Sequence, residues 1–426
     1  MVSFSNGILR IKSDRSGLDL CRDVSFFLLL CSVFTNGGEE GESYFYYITF
    51  FLFFGLTAIK VLSSLKTQGT LVIPSFTLWF TGFTLLSLMS VMWATNPQVS
   101  LRVISRLVQI IVITFCVTHS YSTRASLFRC MRMFSCAGSV VALYMLVKTP
   151  FDDWFKGFFG MSVTQLNPNT IGMIFTLCVI VSFYFAFFCN EKRYYVYTLL
   201  QMFIIILTSS RKSLLASVTG LVMLAMLKMQ RRNIILRVFF VFGLVVAFCY
   251  LIMSVPALYS AIGVRFESMA EHLLGGGDDR SISLRQIFIE NAKDMFFERP
   301  IFGYGINNFV ELIYQRIGIG TYAHNNYYEI LADLGIVGFF VFYGYYFFML
   351  ATLIKICIKR NSSMAKLMLV WLVVIMICEY GLVSYYSVYI QLALCCIYML
   401  ICAINEDDNH IDGTPNYLKY KYSVYG

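Results

Sequence analysis

Apolar runs of about 20 residues alternate with short polar connections from one end of the chain to the other. At about 1.5 Å of rise per residue, a helix of that length matches the roughly 30 Å hydrocarbon core of a bilayer. A transmembrane strand would instead alternate lipid-facing apolar positions with polar ones. Stretches such as Tyr44 to Ile59 and Val238 to Met253 are apolar almost all round, so helices are the spanning solution that satisfies every backbone group in lipid. The pattern predicts an all-α, polytopic transmembrane bundle of about twelve helices, at 22–36, 43–62, 70–92, 99–118, 125–147, 167–189, 194–209, 213–230, 234–256, 326–357, 364–383 and 385–404.

Residues 1–256 then carry the first nine helices, 257–325 a long loop, 326–404 the last three helices and 405–426 a tail. Helix connections are commonly a few residues, and a loop of roughly 70 residues is usually functional. Inside it, Gly275-Gly276-Gly277 and Asp278-Asp279 form a flexible polar stretch. Ser283, with Gln286 three residues on, has capping-box spacing and predicts a helix starting there. That helix would run to about Phe297, bury Ile289, Ala292 and Phe296, and end before Pro300. It is expected on the outer surface or tucked against the membrane.

Composition agrees with the pattern. The 426 residues are 58% apolar and 13% charged, against about 45–50% and 25% for soluble domains, so a soluble class is excluded. The thirteen cysteines lie almost wholly inside apolar runs, with no C-x-x-C pair. They read as small core residues rather than a disulfide framework or metal site. The basic first 22 residues precede a short apolar run, Val24 to Phe34, with no small-residue cleavage site, which reads as a retained helix.

The net charge of +9 matters through its placement. With the N-terminus inside, most Lys and Arg fall on the cytoplasmic side, as insertion favours. Both termini are then cytoplasmic. Glu39, Glu40, Glu42, Asp152, Asp153 and the long loop fall outside. Arg102, Arg106, Lys148, Lys156, Arg211 and Lys212 break the rule by lying outside too. A cation held at a helix end against that bias is a functional-site hypothesis, and its natural partner is an anion. Membrane lipid is an expected partner and nucleic acid is not.

Three outer segments could carry chemistry. In Thr208-Ser209-Ser210-Arg211-Lys212-Ser213, free N–H groups at a helix start could join Arg211 around a phosphate. An ordinary connecting turn would look the same. In Glu298 to Phe309, Gly303 and Gly305 permit close backbone approach, while Arg285 projects from the preceding helix; a structural turn is the alternative. In Ala323-His324-Asn325-Asn326-Tyr327-Tyr328-Glu329, Asn326 and Glu329 have capping-box-like spacing. His324 would then precede a helix N-terminus, whose positive end favours the neutral, proton-accepting imidazole. A hydrogen-bonded structural histidine is the bland reading.

Taken in order, the Ser-Arg turn, the arginine helix ending in Arg299-Pro300-Ile301-Phe302-Gly303-Tyr304-Gly305, and His324-Asn325-Asn326-Tyr327 before Leu331, Gly335 and Gly338 resemble the O-antigen ligase and polymerase family. Asn167-Pro168-Asn169 adds to the likeness, which covers roughly residues 167–345. The resemblance implies a bacterial inner-membrane glycosyltransferase working at the extracytoplasmic face, inverting, with no metal and no cofactor. Its donor would be an oligosaccharide on a polyprenyl diphosphate, and its acceptor a glycan or lipid. A chain-length regulator protein is a further partner the resemblance allows.

Arg211 and Arg285 would stabilise the departing diphosphate and His324 would take the acceptor proton, with Lys212, Arg299 and Asn325 contacting substrate. Arg102 and Arg106 are candidates for the same anion from charge placement alone. Lys212 departs from the small residue that the resemblance leads one to expect. Polymerisation of repeat units is the preferred reading; ligation to lipid A-core and flipping of the lipid-linked sugar are alternatives.

Overall fold

The computed structural model describes residues 16–36, 43–68, 70–156, 159–164, 166–228, 264–274 and 279–412, together with strands 2–5, 8–11 and 419–423 and a few isolated residues between 243 and 263. The helix predicted at 234–256 lies almost wholly outside these residues. The described helices are α1 (Gly17–Asn36), α2 (Tyr44–Gln68), α3 (Ser75–Ser90), α4 (Pro97–Ser120), α5 (Arg124–Lys148), the single turn α6 (Met161–Thr164), α7 (Pro168–Phe187), α8 (Arg193–Leu207) and α9 (Arg211–Lys228). After them come α10 (Val264–Leu273), α11 (Arg280–Glu298), α12 (Phe309–Ile317), α13 (Asn326–Arg360), α14 (Ser363–Cys378) and α15 (Val388–Asp412).

Among the described residues six helices are long and apolar enough to cross a membrane: α2, α3 with its 3-10 extension, α4, α5, α7 and α13. Shorter apolar helices, including α8 and α14, complete an all-α polytopic membrane bundle. Helix α7 is buried on nearly every side and packs against α5, α8, α9 and α14. Its apolar circumference is what a helix surrounded by helices requires.

Several predicted ends move, each for a local reason. Residues 70–74 form a strand paired with 419–423 rather than the start of a helix. Thr70-Leu71-Val72-Ile73 is rich in β-branched residues, and Pro74 disfavours helical backbone in the residue before it. Helix α14 stops at Cys378 instead of 383, because the linker after it is tied elsewhere: the Glu379 carbonyl accepts from Asn326 N (2.8 Å) and the Gly381 carbonyl from Lys212 Nζ (2.8 Å). Helix α11 begins at Arg280, three residues before Ser283. Its cap is Asp279, whose carboxylate accepts from Ser281 N and Ile282 N at 3.0 and 3.2 Å. Helix α13 is capped by Asn325 and not Asn326; Asn325 Oδ1 accepts from Tyr328 N at 3.1 Å.

The Gly303–Gly305 segment has a structural task. Helix α13 breaks at Gly335 (φ 65°, ψ −164°), and the break leaves helical carbonyls and N–H groups without their usual partners. Residues 300–305 fill the gap. Tyr304 N donates to Ala332 O (3.0 Å) and Gly305 N to Asp333 O (2.7 Å), while Ile336 N and Val337 N donate to Pro300 O (2.8 Å) and Ile301 O (3.3 Å). The loop is spliced into the helix's own hydrogen-bond ladder, so each buried backbone group keeps a partner. A Cβ on Gly335 would lie 2.3 Å from Ile301 O, and one on Gly303 2.4 Å from the Asp333 carbonyl carbon.

One end of the bundle collects the chemistry. There Asn96 N donates to Asn308 Oδ1 (2.6 Å), Ser100 Oγ to Ile306 O (2.7 Å), Ser210 Oγ to Asn169 Oδ1 (2.9 Å) and Tyr327 Oη to Met376 O (2.7 Å). These bonds bring the starts of α4, α7, α9 and α13, the end of α14 and the loop helices together. The other end holds Arg132 and Arg193 on Glu191 and the Tyr184–Ser363 contact.

A cationic cleft beside a buried histidine

At the collecting end a small cleft is lined by Asn167, Asn169 and Thr170 of the α7 start, Lys212, Tyr322, Leu382, Val383, Tyr386 and Tyr389. Asn167 caps α7 by accepting from Thr170 N at 2.9 Å. Pro168 takes the first helical position, where its missing N–H is harmless. Asn169 then reaches Ser210, so the Asn-Pro-Asn and Ser-Arg-Lys segments, forty residues apart, form one wall.

Four cations stand in or behind that wall. Arg211 Nη1 donates to Asp279 Oδ2 and to Arg265 O, both at 2.6 Å. Arg265 Nη1 donates to Ser209 O at 3.2 Å. Lys212 Nζ donates to the Gly381 carbonyl and has two further protons. Arg285 is half-buried, and no carboxylate among the described residues forms an ion pair with it. Burial, with Arg211 and Arg265 nearby, pushes its pKa down, yet a guanidinium stays charged. The one carboxylate in the group is Asp279, held down to about 2 chiefly by its bond from Arg211.

His324 completes the arrangement. Its backbone is left-handed, with φ 53°. Its ring lies 4.1 Å from that of Tyr322 and stacks 5.8 Å from Phe288, centroid to centroid. Nδ1 is buried and has no hydrogen-bond partner. Burial, then Arg285 and Lys212, push the imidazole pKa down to about 3. The sequence reading expected a lowered value but named the helix end as its cause; desolvation and the two cations are the causes found here.

The structure thus brings together Arg211, Lys212, Arg285 and His324. Arg106 joins the rim: its guanidinium is 5.7 Å from the ring of Tyr386. Arg102, one turn away, is exposed and outside the lining. Asn325 is fully buried and its side chain serves the fold, accepting from Tyr328 N and donating to Tyr380 O. Arg299 is not brought in. Fourteen residues beyond Arg285 on α11, it lies about 20 Å along the axis, exposed and stacked 4.3 Å over Tyr304. Sequence reasoning missed Arg265, Tyr322, Tyr386 and Tyr389. Arg265 was open to the same outer-cation argument that singled out Arg211, whereas nothing in the spacing of the tyrosines marks them among twenty-eight.

The chain is therefore a polytopic helical membrane protein with an anion-attracting cleft at one end of its bundle. Residues 196–343 are similar to the family model described as O-antigen ligase, and the matched segment contains Arg211, Lys212, Arg265, Arg285 and His324. The family supports a role in transferring surface-polysaccharide glycans. No curated protein matches the chain.

Proposed function

We propose that this protein polymerises polyprenyl-diphosphate-linked oligosaccharide units into a surface polysaccharide, O-antigen or capsule, at the extracytoplasmic face of the bacterial inner membrane. The observation that carries the reading is the pairing of an unpartnered Nδ1 on His324 with Arg285 and Lys212, two cations not committed to any carboxylate.

In the proposed step an acceptor hydroxyl attacks the anomeric carbon opposite the diphosphate. The new C–O bond forms as the bond to the diphosphate oxygen breaks, and the configuration inverts. The hydroxyl proton passes to His324 Nδ1 and the electron pair leaves with the diphosphate, where Arg285 and Lys212 meet the growing negative charge. Preorganised cations in a partly dehydrated cleft supply the stabilisation that a metal would otherwise provide. A bound diphosphate also cancels the two positive charges that depress His324, so the histidine becomes a stronger base as the donor arrives. Arg211, already held by Asp279, keeps the cationic wall in place and shares the anion. Tyr322, Tyr386 and Tyr389 offer ring faces for the sugar. Ligation to lipid A-core would use the same donor half, and the acceptor distinguishes the two.

Reconstituted vesicles with a defined lipid-linked glycan test the reading, with a second lipid-linked unit and lipid A-core offered separately. Chain growth is the expected result; attachment to lipid A-core would make the protein a ligase, and movement without new bonds a flippase. Arg285→Ala and His324→Ala are expected to cut transfer by about 100-fold or more at normal abundance. Arg211→Ala should do the same at reduced abundance, because it strands a buried Asp279. Full transfer by both Arg285→Ala and His324→Ala would end the proposal.

A further inference from the structure

The left-handed backbone of His324 must be held from outside, because that conformation is costly for a non-glycine residue. On its C-terminal side, Asn325 caps α13 and Asn326 is locked to the α14–α15 linker, with its Oδ1 accepting from Ser384 N (2.9 Å) and Tyr385 N (3.3 Å). On its N-terminal side a buried side chain holds the backbone: Ala323 N donates to Glu329 Oε2 at 2.6 Å. Glu329 is fully buried, and its Oε1 has no partner. No cation among the described residues forms an ion pair with it.

One turn along the same helix face lies Asp333, also fully buried. Its two oxygens accept from Phe309 N (2.9 Å) and Asn307 N (2.6 Å). N–H groups can only donate, so Asp333 is placed to be the charged carboxylate of the two. A second unpaired negative charge beside it in a dry interior would be strongly unfavourable. Glu329, with one N–H donor and one bare oxygen, is the carboxyl that can carry a proton without losing any bond the structure shows.

We propose that Glu329 is an uncharged positioning residue, a carboxylic acid whose carbonyl oxygen latches Ala323 and so sets the backbone, and with it the imidazole, of His324. The proposal rests on His324 acting as the base. It goes beyond that reading in assigning a task to a group outside the cleft, and in stating that the task needs an acceptor oxygen and no charge. Glutamine supplies the same oxygen at the same reach, methionine the same volume without it.

The test measures kcat and KM for the lipid-linked donor, per folded molecule, in Glu329→Gln and Glu329→Met. Methionine is expected to lower kcat on the order of 100-fold, the scale of a misplaced reacting group, with donor KM unchanged because Arg285 and Lys212 are untouched. Glutamine is expected to restore kcat to within about threefold of the parent. A glutamine variant as slow as methionine would show that the charge or proton of Glu329 is used, and would overturn the proposal. So would a methionine variant of normal kcat, since the carboxyl would then serve only stability. If methionine prevents folding, the glutamine result decides alone. His324→Ala run beside them separates the two ideas: transfer surviving in it removes the base, whereas a dead His324→Ala with a dead Glu329→Gln removes only the uncharged latch.

Discussion

At the residue scale the decisive quantity is the environment of one imidazole. An exposed histidine titrates near 6.5, and His324 is pushed down to about 3 by burial and by Arg285 and Lys212. A lowered histidine pKa means the neutral form persists as pH falls. The acid limb of kcat/KM, which reports the free enzyme, should therefore lie well below pH 6.5, whereas the limb of kcat should lie higher because the bound diphosphate offsets the cations. Lys212→Gln removes one depressing charge, so its kcat/KM acid limb should move to higher pH. A pH–rate series on parent and variant reads this directly, and an unmoved or lowered limb would rule out coupling between the two groups. The same sign applies to stability: a histidine held neutral in the fold contributes fully above its unfolded pKa, and that contribution fades as pH drops from about 6.5 toward 3.

At the element scale the governing feature is the break in α13. An unbroken helix of 35 residues would be about 52 Å long, well beyond the roughly 30 Å of a bilayer core. The kink divides it into a short segment that follows His324 and a longer one that can span. Gly335→Ala would place an L-residue at φ 65° and ψ −164°, a region open essentially to glycine and costing about 1–3 kcal/mol. It would also drive a Cβ to 2.3 Å from Ile301 O. The expected outcome is a lower Tm in detergent and release of the spliced loop, read as faster hydrogen exchange at Tyr304 and Gly305. A variant with parental exchange there would contradict the splice. Little of this was legible in the sequence. Gly303, Gly305 and Gly335 each signal backbone freedom, but their meeting is a long-range fact that no local pattern encodes. The caps show the same limit. Asp279, Ser283, Asn325 and Asn326 are all competent capping residues, and which one acts depends on where the chain must turn to meet α9 and the α14–α15 linker. The helices themselves were readable because lipid imposes length and apolarity on each segment separately.

At the scale of the whole molecule, the site is a product of topology. Asn167, Arg211, Arg285, His324 and Tyr386 come from five stretches of chain, and they meet because the helices carrying them all present the same end. Charge placement singled out Arg211, Lys212 and Arg106, which lie at this end, and Arg102, which stands exposed outside the cleft lining. Arg299 came from the resemblance instead, and a motif read along the chain carries no information about distance from the cleft. The common end gives the last prediction. In a background whose native cysteines have been replaced, Phe297→Cys and Met92→Cys, both exposed near the cleft end, should react in intact cells with a membrane-impermeant maleimide. Lys192→Cys, at the Glu191 end, should react only after permeabilisation. The donor's diphosphate must lie where the cations are, and the proposed chemistry requires that place to be extracytoplasmic. If Phe297→Cys and Met92→Cys stayed silent in intact cells while Lys192→Cys reacted, the cationic cleft would face the cytoplasm and polymerisation outside the membrane could not be its work.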